Sequence, residues 1–65
     1  MERYQIYHQE HGSVVFVDTK ADAFRIAKAH GVGYRVFDRM AHYGKADEWE
    51  VLSDGTMFAT STKDC

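Results

Sequence analysis

Only one stretch of this chain, Lys20 to His30, has the spacing of an amphipathic helix, so whatever sheet the rest builds has a single helix to cover it. Within that stretch Ala23, Ile26 and Ala27 fall at i, i+3 and i+4 with Phe24 at the edge of the stripe, while Lys20, Arg25 and Lys28 point away. Asp18 and Thr19 offer an N-cap, with Asp22 three residues after Thr19 in the manner of a capping box, and Gly31 stands where a helix ends. The spacing predicts a helix of about three turns.

The flanking segments alternate instead. Tyr4 to Gln9 and Ser13 to Val17 are rich in aromatic and β-branched residues and are joined by Glu10-His11-Gly12, whose glycine suits the left-handed position of a hairpin bulge. Gly33 to Arg39, Glu48 to Leu52 and Thr56 to Thr60 read as three more strands, the last two joined by Ser53-Asp54-Gly55, an Asp-Gly hairpin signal. The predicted fold is α+β in the order ββαβββ: an antiparallel sheet of four to five strands with one amphipathic helix on one face. Met40 to Asp47 fits neither period and reads as a long loop or an irregular turn of helix.

With 65 residues, the chain is expected to form a single domain, 1–65, with room for one small core. The lone Cys65 excludes an intrachain disulfide and suits a reducing, cytoplasmic setting. The first residues lack the apolar run of a signal peptide, and no stretch approaches the roughly 20 apolar residues that span a bilayer, so no membrane partner is expected. Eight basic against ten acidic residues give a net charge of −2, which argues against a general polyanion binder. The acids gather late: Asp47, Glu48, Glu50, Asp54 and Asp64 follow residue 40, against Lys45 and Lys63.

One helix covers one face, and most strands are apolar on both. Val15 and Val17 oppose Val14 and Phe16, Tyr34 and Val36 oppose Phe37, and Met57 and Ala59 oppose Phe58. Tyr7, Phe16, Phe37 and Phe58 are therefore candidates for an open apolar face, the kind of patch that marks a contact surface. A foreign partner, the Met40–Asp47 loop or a second copy could cover it, so a homodimer is one expectation.

Chemistry has less to work with. His8 and His11 are spaced H-x-x-H, with His30 and His42 elsewhere, but structural zinc wants four ligands and usually cysteine among them, so no metal site and no cofactor are expected. Ser13, Ser53, Ser61 and Cys65 sit in no nucleophile motif, and Gly31-Val32-Gly33 follows a helix where a phosphate loop would precede one. The chain is expected to be no enzyme, with no catalytic residue.

Two surfaces remain. Tyr43, Asp47, Glu48, Trp49, Glu50 and Asp54 combine acids that steer with aromatics that anchor, and suit a protein partner with a basic groove. Arg35, Phe37 and Arg39 alternate onto one strand face and, with Arg3 and Tyr7, suit single-stranded nucleic acid, the less favoured partner given the net charge. The helix Thr19 to Ala29 set among antiparallel strands, with the late hairpin Trp49-Glu50-Val51-Leu52-Ser53-Asp54-Gly55, resembles small phage anti-CRISPR proteins. The resemblance implies a phage or mobile-element inhibitor in the host cytoplasm that occupies the surface of a host nucleic-acid-processing protein, such as a Cas effector subunit.

Overall fold

In the computed structural model, which describes residues 2–10, 12 and 14–64, the chain runs β1 (Tyr4–Tyr7), β2 (Val14–Val17), α1 (Lys20–His30), β3 (Arg35–Asp38), β4 (Ala46–Val51) and β5 (Met57–Thr62). The order is ββαβββ, as the alternation predicts. All five strands form one sheet in the order β2-β1-β3-β4-β5, and each neighbouring pair is antiparallel. The architecture is α+β, with α1 packed on the β1, β2 and β3 part of the sheet.

The local signals act as their chemistry dictates. Gly12 adopts φ 68° and donates its N–H to the His8 carbonyl at 2.9 Å, closing the first hairpin in a conformation that costs a side chain strain. Thr19 stays extended, with φ −120° and ψ 149°, and its hydroxyl accepts the Asp22 N–H at 3.2 Å. At the other end Gly31, at φ 116°, donates to the Ala27 carbonyl at 3.0 Å, so the helix stops there.

The core lies between α1 and one face of the sheet. Tyr4 and Ile6 of β1, Val36 of β3, Val51 of β4 and Ala23 and Ala27 of α1 are buried, ringed by half-buried Val17, Phe24, Ile26, Tyr34, Trp49 and Met57. Register explains the set: Ile6 stands opposite Val15 and Val36, and Val36 opposite Trp49, so these side chains share a face. Alanines at 23 and 27 let the helix approach closely. Burying a side chain such as Ile6 or Val36 stabilises the fold by about 2 kcal/mol.

The ends of the strands differ from expectation. β4 begins at Ala46, taking Ala46 and Asp47 from the predicted loop, and β5 runs on to Thr62. The cause is backbone pairing that needs no apolar side chain: Gly44 donates to the Lys63 carbonyl and Lys63 to the Lys45 carbonyl, both at 2.9 Å. Conversely β1 stops at Tyr7, and β3 spans only Arg35 to Asp38, leaving Arg39 beyond its end. Leu52 also lies outside β4, its N–H donating to the Thr56 carbonyl at 2.8 Å where the hairpin turns.

Candidate interaction surface

Because side chains alternate, burying Ile6, Val36 and Val51 under the helix sends their neighbours to the opposite face. The register lines them up in two rows across the sheet: Phe16, Gln5, Phe37 and Glu48 in one, Tyr7, Arg35, Glu50 and Phe58 in the next. Among the described residues no helix lies on this side. The Met40–Asp47 segment does not cover it either, since Phe16 remains 41% and Phe58 59% exposed.

At the centre of this face the charges are paired. Arg35 Nη2 lies 3.2 Å from Glu50 Oε1, and Nη1 4.0 Å from Glu48 Oε1. Glu48 also accepts the Tyr7 hydroxyl at Oε2 and the Thr60 hydroxyl at Oε1, the latter at 3.2 Å. Burial first, and the adjoining Glu48 second, push the Tyr7 phenol above its usual range, with Arg35 pulling the other way. At the margin the Arg39 guanidinium sits 5.5 Å from the Phe16 ring centre and reaches the Glu2 carbonyl at 3.5 Å. Two arginines balance two glutamates, so the face is close to neutral and its aromatic rings stand around a self-satisfied ionic centre.

The two surfaces read from the sequence as alternatives are thus partly one. Glu48 and Glu50 join Arg35, Phe37 and Arg39 on the open face, together with Tyr7. Arg3 does not join them: its Nε and Nη2 bond Asp38 Oδ1 and Oδ2 at 2.8 and 3.0 Å, on the helix side.

The acidic set, by contrast, does not form a single patch. Trp49 stands between Glu48 and Glu50 in β4 and so must face the other way, where it meets Phe24 edge-on at 5.3 Å under the Lys20 ammonium, 4.6 Å from its ring centre. Asp47 occupies an irregularity in the β4–β5 pairing and accepts the Ser61 hydroxyl. Asp54 holds its own turn, accepting the Thr56 N–H at 3.0 Å and the Thr56 hydroxyl at 2.7 Å, bonds that lower its pKa below the usual carboxylate range. Tyr43 is 64% exposed at the opposite end of that hairpin, roughly 20 Å from Asp54 by strand rise, with Lys63 5.7 Å from its ring centre.

Asp38 escaped the sequence reading. It is buried, with both oxygens on Arg3 and the Met40 N–H donating to Oδ1 at 2.9 Å. Burial resists its ionisation, but the Arg3 and Met40 bonds outweigh that and hold the carboxyl below its usual range. Its place two residues after Val36, on the same strand face, was the available signal.

Of the H-x-x-H pair, His8 packs at 5.0 Å on Tyr34, which stacks on His30 at 4.8 Å and 19°. His11 lies outside the described residues, as do Ser13 and Cys65. Among the described residues no group of three or more His, Cys, Asp or Glu is placed to hold a metal ion, no cavity opens, and no helix is long and apolar enough to cross a membrane. Comparison with protein-family models, curated proteins and solved structures finds no match.

Proposed function

We propose that this chain is a protein-binding module without chemistry of its own, and that it works through the open face of its sheet. One observation carries the reading: exposed Phe16 and Phe58 and half-buried Phe37 surround the Arg35–Glu48–Glu50 centre on a face that none of the described elements covers. Aromatic rings with a paired arginine are the composition of interface hot spots. In the finer form of the proposal the partner is a host nucleic-acid-processing protein, and the chain is a phage or mobile-element inhibitor of the anti-CRISPR kind that blocks it by occupation. Direct nucleic-acid binding is disfavoured because Arg35 is already committed to two glutamates, and a phosphate would have to displace them.

The test is a pull-down from bacterial lysate with the wild type beside a Phe16→Ser/Phe58→Ser double variant. A specific protein retained by the wild type and at least about tenfold less by the variant is expected, since losing a hot-spot aromatic costs about 2 kcal/mol or more. Equal retention by both, or retention by neither, would sink the proposal.

A further inference from the structure

The open face divides into two unlike halves. Over β3, β4 and β5 its polar groups answer one another: Arg35 pairs with Glu48 and Glu50, and Glu48 accepts the hydroxyls of Tyr7 and Thr60. Over β2 and β1 they do not. Gln5 stands half-buried opposite Phe16 on one side and Phe37 on the other. Among the described residues its side-chain amide has no hydrogen-bond partner. Arg39 follows Phe37 by two residues and so shares its face, and its N–H bond to the Arg3 carbonyl at 3.0 Å carries the β1–β3 register past Gln5. The Arg39 guanidinium lies against the Phe16 ring, and its sole hydrogen bond among the described residues is the long one to the Glu2 carbonyl, at 3.5 Å. Of the two arginines on the face, Arg39 is the one without a carboxylate partner among the described residues.

We infer that this half of the face receives a carboxylate of the protein partner, an aspartate or glutamate side chain set among apolar residues. Arg39 and Gln5 hold the carboxylate, and the apolar neighbours lie on Phe16 and Phe37. The inference rests on the open face being the binding face and adds what the partner must present there. Charge selects an anion, because a guanidinium without a carboxylate offers a fork of N–H donors that matches two carboxylate oxygens in parallel bonds. The Gln5 amide adds a neutral donor beside it. Once a partner excludes water from the surrounding rings those bonds strengthen, and a partner that brought no acceptor would leave a charge and an amide unpaired beneath it. A nucleic-acid strand fits less well. Its phosphates recur at every nucleotide and call for a track of cations, whereas the next cation along the face, Arg35, is already held by Glu48 and Glu50. A second copy fits poorly as well, since the carboxylates it would offer from this face are the two that Arg35 holds.

The test pans a displayed library of random dodecapeptides on the wild type, then titrates the enriched peptides, made synthetically, against variants by fluorescence anisotropy. Expected is a consensus of one aspartate or glutamate flanked by aromatic or aliphatic residues. Arg39→Gln should bind these peptides at least about tenfold more weakly, as the loss of a charge-assisted pair implies, and Gln5→Ala should show a smaller loss. Replacing the peptide's acid with its amide should weaken binding to the wild type as much, and should add little on Arg39→Gln, because both changes remove the same contact. The peptide-side change reads that contact without touching the fold. Lys28→Gln, an exposed cation on α1, should change nothing. Peptides that Phe16→Ser/Phe58→Ser abolishes but that carry no acid, or that bind Arg39→Gln as well as the wild type, overturn the inference and leave the open-face reading standing. Peptides indifferent to the phenylalanine pair speak against both. A library that enriches nothing overturns the inference, as does a single-stranded oligonucleotide, or a second copy of the chain, whose binding Arg39→Gln abolishes.

Discussion

The β1–β3 pair and the β4–β5 hairpin belong to one sheet but are held by different physics. β1 and β3 sit at its centre beneath α1, and Ile6 and Val36 are 1% and 0% exposed. The hairpin has a longer ladder but lies largely beyond the helix, reaching it through Trp49 against Phe24 and Lys20 and through the buried Val51. Apolar burial holds the first region and backbone pairing the second. A domain this small therefore concentrates its stability under the helix and leaves the rest of its surface free for contact.

The sharpest way to break that contrast is Ile6→Ala. The cavity it leaves beneath α1 should cost about 3 kcal/mol, a large share of the stability of a chain this size, and urea unfolding should show the midpoint moved to much lower urea.

Asp38→Asn tests the polar end of the same region. It removes a charged partner from Arg3 and should cost about 2 kcal/mol at neutral pH. The sign of its pH dependence follows from the lowered pKa of Asp38. A depressed carboxyl stabilises the fold above its unfolded pKa of about 3.9, and that contribution is lost as pH falls through the still lower folded value. Stability curves of wild type and variant should therefore converge in strong acid and separate as pH rises towards 4 and above. A gap that persists unchanged into strong acid would mean that the ion pair is not its source.

Phe58→Ser should do least, under about 0.5 kcal/mol by urea unfolding, because the ring is already in water. A large loss there would show that the hairpin holds a core of its own and would erase the contrast.

The element order was legible in the sequence because each element carries its own signal: helical spacing from Ala23 to Ala27, the Thr19 cap, the glycine at 12 and the Asp54-Gly55 turn. The candidate site was legible only in part. Alternation placed Arg35 and Phe37 on one face, but which strand lies beside which is a long-range matter. Until β3 is known to pair with β4, nothing says that Arg35 meets Glu48 and Glu50. Closeness in sequence misled in the opposite direction, since Trp49, flanked by two glutamates, faces away from both. Asp38 was overlooked because its partner, Arg3, lies 35 residues away along the chain.

By itself, the sequence determined that this chain has one helix for a sheet that is apolar on both sides, so that one face must go uncovered by it. Periodicity is local, and that conclusion needs nothing else. Tertiary structure decided what the uncovered face is made of. Register between distant strands turned two separate rows of charge into one paired centre ringed by phenylalanines, and it left the uncharged β5 at an open edge.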